Sequence, residues 1–146
     1  MKALLKITAH FTFFCIITGA ACTETPITAD SQSILGRWQL YKVIVNDSVI
    51  GKPSPYKGRN EVEIEFLAQD RIFGTTSSNN YSGTYQVKEP DSLSVIYVPG
   101  SKVREIRWGE YFLHGLLNVK SFKIVDGSLV LNFKERDKLF FKKIIK

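Results

Sequence analysis

Residues 61–87 read EVEIEFLAQDRIFGTTSSNNYSGTYQV, and the fold turns on how this stretch alternates. Val62, Ile64 and Phe66 face one way while Glu61, Glu63 and Glu65 face the other, the period-two pattern of a strand with one buried face. RIFGTT (71–76) and YSGTYQV (81–87) keep that rhythm, separated by the turn-forming QD and SSNN. Working outward, LGRWQLYKVIV (35–45) precedes them and SLSVIYV (92–98) follows after EPD. Then the period changes. In RWGEYFLHGLLN (107–118) Phe112, Leu113, Leu116 and Leu117 recur at helical spacing, with Glu110 and His114 on the other side, which predicts one short helix. Gly115 weakens that helix by about 1 kcal/mol relative to alanine, so it depends on the sheet to hold its shape. VKSFKIV, the turn Asp126-Gly127, SLVLNF, the charged ERD and KLFFKKI predict three closing strands. Asp-Gly between alternating runs is a strong hairpin signal, because glycine accepts the positive φ of a tight turn.

Composition points the same way. Of 146 residues 44% are hydrophobic and 12% aromatic, enough for one domain with its own core. Ten Phe, six Tyr and two Trp against a single Met favour pleated, half-buried surfaces. The expected fold is therefore mostly β, an antiparallel barrel-like domain of about eight strands with one short packed helix, over residues 34–146. Trp38, Phe66, Leu131 and Phe141 fall on inward phases and are the candidate core.

The first 21 residues read as an export signal: Lys2 and Lys6, the apolar FTFFCIITGA, then small residues ahead of Cys22. A spanning helix would need about 20 mostly apolar residues, and Thr8, His10 and Thr12 interrupt this run. Small residues followed by cysteine resemble the lipobox of bacterial lipoproteins, which makes Cys22 the candidate lipidation (palmitate) site, although Gly19 stands where a large aliphatic residue is usual. Ordinary signal-peptidase cleavage beside Ala20 or Ala21 is the alternative, giving a soluble periplasmic protein. Residues 22–33 then read as a lipidated tether. The eleven residues TETPITADSQS, if flexible, span roughly 18 Å.

Cysteine and histidine counts exclude several chemistries. Cys15 and His10 leave with the signal, so nothing after Cys22 is a cysteine and His114 is the sole mature imidazole. Disulfides, thiol nucleophiles, zinc sites and Ser-His-Asp arrangements become hard to build. No metal, cofactor or catalytic residue is expected, and the chain is read as a non-enzyme.

ILGRWQLYKV, EVEIEF, RIFGTTSSNNYSGTYQV, the EYFLHGLL helix, SFKI, SLVLNF and KLFF together resemble the META domain, or HslJ-like, family from Ile34 to Lys143. The most specific part is NNYSGTY (79–85), where Asn80, Tyr81, Ser82, Gly83 and Tyr85 match the family's motif and Asn79 replaces its cysteine. A second family cysteine, expected near SKVREI (101–106), is also missing, which puts any disulfide or redox role in doubt. The resemblance implies a barrel-like domain with one packed helix, and an association with heat shock, envelope stress or drug tolerance. The residues themselves allow a structural reading: Asn80 starts or caps a turn, Gly83 suits a bulge or a close approach, and Tyr81, Gly83 and Tyr85 share a face. A binding site in the same stretch is the alternative.

Other candidates have simple explanations beside functional ones. Glu61, Glu63 and Glu65 are either a cation stripe or an ordinary charged outer face. His114 is either a general base or an exposed helix residue beside Glu110. Trp108, next to KVREIR, either packs inward or anchors a ligand or a membrane. The formal charge is +6, and loss of Lys2 and Lys6 leaves 18 basic against 14 acidic residues, +4. Lys134, Arg136, Lys138, Lys142, Lys143 and Lys146 concentrate the excess near the end, either guarding a strand edge or meeting an acidic partner. The expectation is a monomeric outer-membrane lipoprotein of the bacterial envelope that meets the membrane through its N-terminal lipid, with an envelope protein or anionic lipid as partner and no nucleic acid. The alternative is a lipocalin-like carrier of a small apolar ligand, since Gly36-Arg37-Trp38 also resembles the Gly-x-Trp opening of those barrels.

Overall fold

The structure, a computed structural model, describes residues 34–88, 90–99 and 103–145. The expected signal peptide, Cys22 and the tether lie outside them. The strands are β1 (Gly36–Val45), β2 (Ser48–Gly51), β3 (Glu63–Leu67), β4 (Arg71–Thr75), β5 (Asn80–Val87), β6 (Leu93–Pro99), β7 (Ser121–Val125), β8 (Ser128–Asn132) and β9 (Lys138–Lys143), with one helix, α1 (Arg107–Leu117), between β6 and β7. All neighbouring strands pair antiparallel, in the order β6-β5-β4-β3-β1-β9-β8-β7, and β2 pairs β1 off that path. The eight-stranded path is the barrel that the alternation predicts.

Closure is partial. The two edge strands meet at the bridge Ser92–Ser121, flanked by bonds from Leu93 N–H to Lys120 O (2.9 Å) and from Phe122 N–H to Asp91 O (2.8 Å). Helix α1 lies between these strands in the chain and buries Trp108, Gly109, Phe112, Gly115 and Leu116. Phe112 sits between the rings of Tyr81 (5.6 Å) and Phe141 (6.1 Å), which come from strands well separated along the sheet. The helix therefore plugs the barrel instead of resting on it. Its phase departs from the expectation at the C-terminal end, where Leu117 is exposed, while Trp108 takes the inward-packing alternative. The indole is thus a core group and no membrane anchor.

Trp38, Phe66, Leu131 and Phe141 are all at most 1% exposed, as the inward phases predict. Trp38 also donates its indole N–H to Ile34 O at 2.8 Å. Ile64, Ile72, Leu93, Phe133 and Leu139 join them in one continuous interior. β2 is an addition to the expected elements. It folds back on β1 through Asn46-Asp47, both at positive φ, Asp126-Gly127 makes the equivalent two-residue turn after β7, and Ala68-Gln69-Asp70, with Gln69 and Asp70 at positive φ, makes a three-residue turn after β3. The buried Asp137 accepts from Asn46 N–H at 2.8 Å and so ties the β1–β2 turn to the loop before β9.

β9 lies between β1 and β8, so Lys138, Lys142 and Lys143 do not guard an edge; Lys146 lies outside the described residues. β1 carries the irregularity instead. Its register against β9 shifts between Leu40 and Lys42, leaving Tyr41 unpaired. Trp38 and Leu40 point inward, Tyr41 and Lys42 are exposed or half-buried, and Val43 is buried again.

Candidate functional site

The motif stretch takes in the last residue of the connection between β4 and β5 and the first six residues of β5. In sequence the two adjacent asparagines look alike, yet they do different things. Asn80 is exposed at the first position of β5, and its backbone pairs with Thr75. Asn79 is 5% exposed and holds the turn: its N–H donates to Thr76 Oγ1 at 2.8 Å, and Thr76 N–H donates back to Asn79 O at 2.7 Å. The turn-holding role expected of Asn80 belongs to Asn79. Gly83 likewise makes no bulge, because β5 runs in unbroken register against both β4 and β6. It sits opposite Ile72, between the buried Tyr81 and Tyr85, and Ser82 faces Phe73.

The two tyrosines share a geometry. Each reaches past β4 to the backbone of β3, Tyr81 donating its hydroxyl to Glu63 O (3.0 Å) and Tyr85 to Leu67 O (3.1 Å). Gly74, the register partner of Tyr81, makes the first reach possible. A Cβ there would stand 2.1 Å from Glu63 O and 2.4 Å from the Tyr81 hydroxyl. Tyr85 packs edge-on to Phe66 with centroids 5.1 Å apart. Burial pushes the Tyr85 phenol above its ordinary value and so disfavours its ionisation, and the charge of Asp70 adds to that.

Residues that sequence reasoning passed over complete the site. Thr76 and Ser77 are fully buried, and their hydroxyls both donate to the carboxylate of Glu105, Ser77 at 2.6 Å. Ser78 N–H (3.2 Å) and the Asn79 side-chain amide donate to the same carboxylate. The Asn79 amide also brackets Val103, donating to its carbonyl at 2.7 Å and accepting from its N–H at 2.9 Å. Residues 76–79 are thereby clamped to the segment that leads into α1. Gly109, in the first turn of α1, leaves room for this, since a Cβ there would meet Ser77 Oγ at 2.2 Å and a Glu105 oxygen at 2.3 Å. A carboxylate beside a helix N-terminus is also favoured by the helix dipole.

This cluster does structural work. Each hydroxyl spends its proton on the carboxylate, and that carboxylate is occupied by four donors, so neither a free nucleophile nor a free base is presented. Tyr56, at the margin, donates to Asn60 O at 2.6 Å, and its phenol is pushed up to about 12 by burial, then by the charges of Glu61 and Glu105.

The remaining candidates resolve separately. Glu63 accepts from Arg37 Nε at 2.8 Å, and Glu61 accepts from Gln39 at 2.9 Å and pairs with Lys52. These acidic groups meet protein cations and amides, and no group of three or more potential metal ligands occurs among the described residues. His114 turns its ring edge to Phe133, with centroids 5.7 Å apart, and among the described residues it forms no ion pair with Glu110. No helix among the described residues is long and apolar enough to cross a membrane.

The fold is shared with solved proteins. A protein from Burkholderia xenovorans, determined by NMR, superposes with a TM-score of 0.63 at 15% identity, covering 96% of this chain and 100% of that one. A crystal structure of a duf4847 family protein from Bacteroides vulgatus gives 0.58 at 14% identity, covering 80% and 98%. No curated protein matches the sequence. The META domain family model matches residues 31–144, a span that takes in the whole barrel, the helix and the clamped motif, and the chain belongs to the META domain family.

Proposed function

We propose that this META domain protein is a non-enzymatic lipoprotein of the bacterial cell envelope, held at the outer membrane by a lipid on Cys22, and that it serves stress tolerance by making contacts through its outer surface and loops. The META domain and the barrel fit an envelope-associated protein. The observation that carries the reading is where the side chains are spent. The large aromatic groups fill the interior, with Trp38, Trp108, Phe66, Phe112, Phe133 and Phe141 each at most 2% exposed, and the polar side chains of Thr76, Ser77 and Asn79 bond to Glu105 and Val103 of the same chain. A lipocalin-like carrier would need an apolar lumen of some 300 Å³ or more in that interior. Contacts on the outside fit a filled barrel better.

The anchor is tested by metabolic labelling with a fatty acid. Label should enter the wild-type chain and fractionate with membranes, while Cys22→Ser should carry none and appear in the soluble fraction. Equal labelling of both chains, or of neither, would remove the lipoprotein reading.

A further inference from the structure

The outer face of β1, β9, β8 and β7 carries a groove of about 370 Å³. Its central row runs across four strands in register: Lys42 opposite Phe140, Phe140 opposite Val130, Val130 opposite Lys123. Two cations thus flank two apolar side chains, and Lys138, in the next row, adds a third cation opposite Asn132. The unpaired position in β1 builds one wall. With no strand partner, Tyr41 joins Lys42 in lining the groove, its ring edge-on to Phe140 at 6.5 Å. Lys42 Nζ lies 3.9 Å from the centre of the Phe140 ring. Bulges commonly re-aim side chains at places of use.

Four of the described cations sit beside a carboxylate, and the groove lysines are among the others. Arg37, Lys52, Lys134 and Arg136 each have a carboxylate partner. Among the described residues Lys42, Lys123 and Lys138 form no ion pair, and the one acidic residue lining the groove is Asp126. Edge protection does not explain Lys42 and Lys138, which stand on β1 and β9, both interior to the sheet, whereas Lys123 stands on the edge strand β7. Tyr41 and Val125, which line the same groove, are 36% and 49% exposed.

We propose that this groove binds a single-chain anionic amphiphile, its carboxylate held at the β1–β9 end by Lys42 and Lys138 and its apolar chain laid over Phe140 and Val130 toward Lys123. The size agrees, since small-ligand sites run from about 300 to 1,000 Å³ whereas a protein partner covers about 800 Å² of surface. The inference rests on the reading of the barrel as a binding protein that works from its outside, and it names the ligand class for that surface.

The test is a titration of the isotopically labelled full-length chain, followed by amide NMR shifts, with octanoate and with uncharged octanol. Octanoate should give saturable shifts centred on Lys42, Val130 and Phe140, and octanol should bind roughly tenfold more weakly. The triple variant Lys42→Gln, Lys123→Gln, Lys138→Gln should lose about tenfold in octanoate affinity at an unchanged melting temperature. If that variant melts early, Phe140→Leu and the octanoate-to-octanol ratio of the wild type decide. Equal binding of the two probes, shifts centred on the barrel interior or the N-terminus, or unaltered binding by a folded triple variant would overturn the proposal. So would groove shifts produced by phosphatidylglycerol vesicles but not by octanoate, which would make a bilayer the occupant. Failure here leaves the Cys22 reading intact, because labelling reports on the N-terminus and the titration on the sheet.

Discussion

Asn79 and Asn80 show how far a residue's role depends on what the fold brings to it. Asn79 meets Val103 and Glu105, 24 and 26 residues along the chain, and Asn80 meets solvent. Truncation of Asn79 to alanine leaves the Val103 amide groups and one carboxylate bond short, and such losses cost about 1 to 3 kcal/mol when the groups stay dry. Val103 is half exposed at its side chain, so water can reach part of the gap and the expected cost lies toward the lower end of that range. Asn80→Ala should stay within about 0.5 kcal/mol of wild type, as exposed substitutions do. Denaturant melts of the two variants check this, and equal costs would show that the clamp carries no stability. The sequence made the motif visible and misassigned its key residue, because spacing reveals which side chains share a face and not which distant carboxylate will arrive there. Glu105, Thr76 and Ser77 carried no local signal for the same reason. One hint was present: the asparagine at 79 stands where the resembled family has a cysteine, and the segment expected to hold a second cysteine is the one Asn79 grips.

At the scale of elements, strand existence and phase were legible wherever apolar and charged residues alternate strictly, as in β3 with Ile64 and Phe66 buried between Glu63 and Glu65. The reading failed where a strand departs from period two. β1 changes phase at Tyr41, so a single inward set does not describe it, and β2 is four residues long with no buried position to betray it. Glycines were the other blind spot, since a glycine kept for space looks like one kept for flexibility. Three substitutions separate the cases. Gly74→Ala puts a methyl 2.1 Å from the backbone oxygen of Glu63 and displaces the Tyr81 hydroxyl, so it should destabilise most, by about 1 to 3 kcal/mol or more. Gly115→Ala gains about 1 kcal/mol of helix propensity but places its methyl 2.7 Å from Leu139 Cδ1, a fully buried side chain, and overpacking of that kind outweighs the gain. Gly51→Ala meets nothing within 4 Å and should be close to neutral. Thermal melts that rank the three otherwise would show that the close approaches at β4 and α1 are relaxed in solution.

The whole molecule is a sheet that nearly closes, and its stability should be distributed accordingly. β1 and β9 sit at its centre, each paired on both sides, with Trp38, Val43, Leu139 and Phe141 beneath them. β6 and β7 meet through a single bridge and two flanking backbone bonds, and the helix fills the opening that full pairing would have closed. Elements with few shared contacts open locally at a lower free energy than the global unfolding of the domain, which is about 5 to 15 kcal/mol for proteins of this kind. The amides of Leu93 and Phe122, whose bonds cross the seam, should therefore exchange with solvent at least about tenfold faster than the slowest amides of β1 and β9 under native conditions. Added denaturant should accelerate the central amides strongly and the seam amides weakly, because local opening exposes little new surface. Site-resolved hydrogen exchange measures both. Uniform protection across β6, β7, β1 and β9 would mean that the helix welds the seam and that the barrel opens only as a unit; a fast seam beside a slow centre would mean that any movement available to this filled barrel is the swing of α1 and its clamped loop, with the groove on β1, β9 and β8 held rigid throughout.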